Sequence, residues 1–194
     1  MFETVIGLEI HVQLATRTKV FCADDAAFGG APNTHVSAIS LAHPGTLPRL
    51  NRKAVTYAVR LGLALGCDIN LYSAFDRKNY FYADLPKGYQ ITQDKRPVCR
   101  GGALHIRTET LDLRTIRLHH IHLEEDAGKS LHDQDPCDSL IDLNRAGVPL
   151  LEIVTEPDLR GADEVAACIE VIRRLVRWLG VGDGNMEEGS LRCD

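Results

Sequence analysis

The 194-residue sequence has no Cys-x-x-Cys pair: Cys22, Cys67, Cys99, Cys137, Cys168 and Cys193 are scattered along it. That spacing argues against a zinc knuckle, and at this length and composition it argues against a disulfide framework. No apolar run reaches the roughly 18 residues that a membrane-spanning helix needs. The opening MFETVIGLEIHVQL lacks a basic region followed by an apolar one, so no targeting leader is recognised and a cytoplasmic setting with free thiols is expected. Positive charge is in deficit, with 22 Lys and Arg against 27 Asp and Glu, which argues against a free-standing nucleic-acid binder. There is neither a G-x-x-x-x-G-K-[ST] nor a G-x-G-x-x-G sequence, so a nucleotide would be held by neither the P-loop nor the dinucleotide-fold route. What remains is an ordinary globular composition, 44% apolar and 25% charged, in a chain long enough to bury a real core.

Patterning predicts mainly strands and two helices. Residues 4–14 alternate, with Ile6, Leu8, Ile10, Val12 and Leu14 on one face and Gly7, Glu9, His11 and Gln13 on the other, as a half-buried strand does. From Thr16 to Arg49 no period survives, so a long loop is expected, with one short strand over 35–42 (HVSAISLA). Loops this long are uncommon unless they line a site. Asn51 caps a helix running to about Leu65 and ended by Gly66, its stripe formed by Ala54, Tyr57, Ala58, Leu61 and Leu65. Residues 103–124 read as a hairpin turning at ETLD, and 139–158 as two short strands broken at Arg145-Ala146-Gly147. A second amphipathic helix occupies 161–180, its acids early and Arg173, Arg174 and Arg177 late, as the helix dipole prefers. The last residues, GDGNMEEGSLRCD, are expected to end without a closing strand, as in a domain cut short. The class is α+β, with a mainly antiparallel sheet.

Titratable groups are densest at Arg117–Lys129, RLHHIHLEEDAGK. On a strand His120, His122 and Glu124 share one face while Ile121 and Leu123 point into the core. Carboxylates gathered at one strand end need a cation or protons to offset their repulsion. Glu9 and His11, about 6–7 Å apart on their strand face, make a half-site to match. Carboxylates with one imidazole favour Mg²⁺ or Mn²⁺ over a structural zinc. The competing reading of both segments is a solvated, charged strand face. Between them lies FDRKNYFYADLPKGYQITQ, 75–93, where Arg77, Lys78 and Asn79 adjoin an aromatic cluster. Such cations suit nucleotide phosphates and such rings a base, although an amphipathic strand with solvated cations fits the same pattern.

The motifs LEIHVQL, HPGTLP, FDRKNYFYADLPKGYQITQ, HLEEDAGK, DLNRAGVPLLEIVTEPD and MEEGSLRCD, in this order, closely resemble the GatB family of the aspartyl/glutamyl-tRNA amidotransferases. The resemblance covers the whole chain and corresponds to the first two-fifths of a full-length GatB. It implies an α+β cradle of mainly antiparallel sheet with two flanking amphipathic helices, cut short at 194. The rest of the catalytic domain, a helical domain and a tail domain, which supply most tRNA contacts, would lie beyond. It implies a carbon–nitrogen ligase reaction, in which ATP phosphorylates the side-chain carboxylate of misacylated Glu-tRNA(Gln) or Asp-tRNA(Asn). Ammonia from a separate glutaminase subunit then gives the amide, and a further small subunit straps the heterotrimer together. Alone, this piece would be inactive. By resemblance, metal ligation falls to Glu9, His11, Glu124 and Glu125, with Glu188 as a further ligand, and the cofactors are ATP and Mg²⁺ or Mn²⁺. Arg77, Lys78 and Asn79 mark the nucleotide side, Lys78, Glu125 and Arg145 the catalytic groups. Arg145, Glu152 and Asp158 would order the cradle or guide ammonia. His119 and His120 fall outside the matched motif and receive no role. Some family members bind a structural zinc through paired cysteines in the loop that here keeps only Cys22, so zinc is not expected. Two rivals remain open, a binding-only scaffold and an amide ligase acting on a free small acid.

Overall fold

The computed structural model describes residues 2–108 and 112–194. In chain order the elements are β1 (Glu9–Gln13), α1 (Arg52–Ala64), β2 (Asp68–Ile69), β3 (Asp76–Asn79), β4 (Tyr89–Thr92), β5 (Cys99–Arg100) and β6 (Ala103–Arg107). They continue with β7 (Leu113–Glu125), β8 (Lys129–Leu131), β9 (Leu140–Asp142), β10 (Pro149–Thr155), α2 (Ala162–Trp178) and β11 (Leu191–Cys193). The expected α+β class is observed, with every strand pairing antiparallel. No helix among the described residues is long and apolar enough to cross a membrane.

The main sheet runs β11-β1-β10-β7-β5-β2, and β6 also pairs with β7. β7 is the longest strand at 13 residues, and its length lets β5 and β6 occupy one edge in succession while β10 takes the other. Gly101 and Gly102, at φ 62° and 92°, make the step between those two partners. Only glycine enters this conformation without cost, and a Cβ on Gly102 would meet the Leu65 carbonyl at 2.7 Å. Of the expected ETLD turn of the β6–β7 hairpin, residues 109–111 lie outside the described residues. β3 and β4 form a separate hairpin laid against β7, and β8 and β9 another.

One face of the sheet is apolar. Ile10, Val12, Ile121, Leu123, Leu151 and Ile153 pack there with Ala58 and Leu61 of α1 and Cys168, Ile172 and Val176 of α2. At about 1.5–3 kcal/mol per buried aliphatic side chain, this layer is the main stabilising term. α1 begins where expected, the Asn51 side chain accepting from the Lys53 N–H at 2.9 Å, and Gly66 ends it at φ 68°.

Two expectations are corrected. Residues 35–42 form no strand; they fold into turns, with the Leu41 N–H on the Ser37 carbonyl and the Ser40 hydroxyl on the Asp24 carboxylate. Alternating apolar residues alone do not make a strand; packing against cross-strand neighbours does, and residues 35–42 pair with none. The C-terminal residues do form a closing strand: β11 pairs with β1, and Glu9 and Asp194 exchange both backbone hydrogen bonds at 3.0 Å. Three residues are too few to carry a period, so only the β1 edge reveals this strand.

The seating of α1 on the sheet offers a test. A Cβ on Gly62 would lie 2.4 Å from the Cys99 sulfur. Gly62→Ala is therefore expected to lower stability by about 1–3 kcal/mol despite alanine's better helix propensity, read as a fall in the urea midpoint at unchanged slope.

Candidate active site

The opposite face of the sheet is polar at its centre. The register sets Glu152 of β10 between His11 of β1 and His122 of β7, three side chains in one row across three strands. Glu124 sits two residues further along β7, on the same face. His11 Nε2 is 3.1 Å from Glu152 Oε2 and 3.5 Å from Glu124 Oε1. His122 Nε2 is 3.3 Å from Glu124 Oε2 and 3.5 Å from Glu152 Oε2, and the Thr92 hydroxyl of β4 donates to Glu124 at 3.1 Å. Glu124 and His122 are buried.

Burying two carboxylates together is unfavourable unless positive charge or protons accompany them. Here His11 supplies part of it. The hydrogen bond to Glu152 raises the His11 pKa against the opposing effect of burial, with the Glu152 and Glu124 charges adding to it. Burial pushes the Glu152 carboxyl up, but the His11 hydrogen bond and the electrostatic influence of the neighbouring His122, His11 and Lys78 side chains hold it below its ordinary value. Ligand atoms of His11, Glu124 and Glu152 all lie within 4.8 Å of one another. Two carboxylates and one imidazole, converging from three strands, suit a hard or borderline divalent cation such as Mg²⁺ or Mn²⁺. On the same face His120 is driven down to about 4, first by burial and then by His122 and His119, so it stays neutral.

Glu125 alternates to the other side of β7. Its carboxylate pairs with Lys87 and accepts the Ile91 N–H at 2.9 Å, and its backbone carbonyl accepts from Gln90. It lines a cavity of about 260 Å³ together with Lys19, Phe21, Lys87, Tyr89 and Gly147. Lys19 is fully buried, its ammonium donates to the Leu143 carbonyl at 3.2 Å, and burial lowers its pKa. The long loop expected to line a site does line this cavity, contributing Ile39, Ser40, His43 and Thr46.

Of the residues singled out in the sequence, the structure gathers His11 and Glu124 with Glu152. Glu9 shares the His11 face of β1 but is exposed and outside the converging group. Glu188 is exposed and lines a different depression, with Gln13 and Asp183. Lys78 is exposed on β3, close enough for its charge to act on Glu152. Arg77 stacks over the Tyr89 ring at 4.9 Å, and Asn79 ends β3 opposite Tyr89. Arg145 holds the turn after β7, donating to the Ala127 and Gly128 carbonyls at 3.0 and 2.7 Å. Asp158 lies elsewhere, clamping Arg117 through both oxygens. Sequence reasoning undervalued Glu152 and gave no role to His122 or Lys87. The signal for Glu152 was present, since it is the one charge within VPLLEIV. A lone carboxylate in a strand buried on both faces needs partners.

These features define an α+β domain whose helices cover one face of an antiparallel sheet and whose other face carries an acid–imidazole site. Residues 4–194 match the GatB/GatE catalytic domain, and the chain belongs to that family. Among similar proteins, an Anaeromyxobacter protein is 58% identical over the whole chain, and proteins of Agathobacter rectalis and Rickettsia typhi are each 54% identical. Each of the three is named as the B-type subunit of an aspartyl/glutamyl-tRNA(Asn/Gln) amidotransferase. The chain covers 40% of the length of each.

The Asp158 clamp carries its own prediction. The hydrogen bond and charge of Arg117 hold the Asp158 carboxyl at about 2, below its ordinary 3.8. A depressed carboxyl stabilises the fold above its ordinary value, and the contribution is lost as pH falls through about 2. Arg117 is exposed and Asp158 only partly buried, so screening keeps the effect small. Asp158→Asn should lower the urea midpoint slightly near neutrality, lose that difference in strong acid, and leave Mn²⁺ affinity unchanged.

Proposed function

We propose that this domain carries the carboxylate-activating site of a tRNA-dependent amidotransferase. The reading rests on one observation, the convergence of His11, Glu124 and Glu152 from three strands, in a member of this family. The substrate is glutamate or aspartate attached to tRNA(Gln) or tRNA(Asn). A side-chain carboxylate oxygen attacks the γ-phosphorus of ATP, the bond to the bridging oxygen breaks, and ADP leaves. Ammonia released by a partner glutaminase then attacks the acyl carbon. The bond to phosphate breaks and a proton departs as the amide forms, with a second, small partner protein holding the assembly.

Phosphoryl transfer needs positioned positive charge more than covalent help. A Mg²⁺ or Mn²⁺ ion held by His11, Glu124 and Glu152 would supply such charge to phosphoryl oxygens. Lys78, exposed beside Glu152, supplies a second cation for phosphate. Arg77, stacked on Tyr89, and Asn79 border it on the nucleotide side. Lys87 is tied to Glu125 at the neighbouring cavity. Glu125 is the only carboxylate among that cavity's described lining, which supports a role for it in taking a proton as ammonia becomes an amide. Arg145 acts at a distance by fixing the turn that follows Glu125.

Two measurements test this. Calorimetric titration should show saturable Mn²⁺ binding that His11→Ala and Glu152→Gln abolish. Glu9→Gln and Glu188→Gln should change it less, and Glu125→Gln should retain it. Within the assembled amidotransferase, formation of Gln-tRNA or Asn-tRNA should require ATP and Mg²⁺ and be lost in Lys78→Ala and Glu125→Gln. Amide formation on free acid that persists after ribonuclease treatment would overturn the tRNA assignment.

A further inference from the structure

A row of imidazoles runs from the buried carboxylates to the surface. Neighbouring residues on a strand ordinarily point to opposite faces, yet the His119 and His120 rings touch. The cause lies in the pairing of β7 with β10. His120 opposes Val154 while Leu118 opposes Thr155, so His119 is the extra residue of a bulge, and bulges re-aim side chains. His119 Nδ1 lies 2.6 Å from His120 Nδ1, His120 Nε2 lies 2.9 Å from His122 Nδ1, and His122 Nε2 lies 3.3 Å from Glu124 Oε2. His120 and His122 stack, ring centroids 5.1 Å apart. Exposure falls steadily along the row, from the exposed His119 to the buried His122.

Hydrogen-bond chemistry orders the protons. Ionised carboxylates only accept, so His122 Nε2 carries the hydrogen that faces Glu124 and Glu152. A neutral ring then has its lone pair at Nδ1, which needs a donor, and that donor is His120 Nε2–H. His120 Nδ1 becomes an acceptor in turn, served by His119. Every ring donates inward, and bonds aligned in this way polarise one another.

We propose that His120 and His122 are positioning residues of the cation site. The row locks His122 as its Nε2–H tautomer, which grips Glu124 Oε2 and leaves Oε1 turned toward His11. This rests on the metal reading above. Groups that orient metal ligands from behind typically change affinity by about 10–100-fold when lost.

Long-range ¹H–¹⁵N correlation NMR on the metal-free chain reads the tautomers directly, and both His120 and His122 should be Nε2–H. His120→Ala should leave His122 a tautomer mixture and weaken Mn²⁺ binding by about 10-fold in calorimetry, at unchanged melting temperature. His120→Gln, whose amide N–H can replace the lost donor, should restore both. An Nδ1–H tautomer at His122 in the unaltered chain overturns the row alone, as does unchanged Mn²⁺ affinity in His120→Ala or failed rescue by glutamine. Correct tautomers in a chain that binds no Mn²⁺ overturn the metal reading and the row's purpose with it.

Discussion

The register of β10 between β1 and β7 is the constraint on which this structure depends. It sets Ile153 between Ile10 and Ile121 on one face, and Glu152 between His11 and His122 on the other. Because side chains alternate with a period of two, a slip of one residue on either edge would carry the carboxylate into the core and an isoleucine onto the site. The apolar face resists that slip, and so the hydrophobic layer beneath α1 and α2 holds the polar row above it in place. Core and site are two sides of one set of hydrogen-bonded strands.

That arrangement also resolves the electrostatic problem it creates. Glu124 is buried and Glu152 half-buried, within a few ångströms of each other, and His11 sits against both. Its raised pKa and the lowered pKa of Glu152 are two views of one interaction, opposed by the burial of each group. A proton on His11 balances part of that charge. Glu125 meets the same difficulty on the other side of β7 and answers it with Lys87. Adjacent acids in the sequence thus acquire separate partners.

Much of the fold was legible locally. The cap at Asn51, the stripe of α1 and the glycine stops of both helices follow from backbone and side-chain chemistry within a few residues. The alternation of β1 and β7 follows from one buried face. Elements without local support were misjudged. Residues 35–42 carry enough apolar alternation to suggest a strand but pair with none, while Leu191–Cys193 carry almost none and pair with β1. The bulge at His119 is likewise invisible in one strand, because it exists only as a mismatch between two.

The sequence by itself determined the α+β class, the motifs that carry the family resemblance, and the kinds of group the chemistry uses: acids, imidazoles and cations at strand ends. Only the tertiary structure decided which of them act together. Glu152 joined His11 and Glu124 because three strands came into register. Glu125, Glu188 and Asp158 went to other surroundings because strand alternation and distance separated them. The reason is physical: local period is set by near neighbours along the chain, whereas the convergence of side chains from residues 11, 124 and 152 is set by pairing and packing across the sheet.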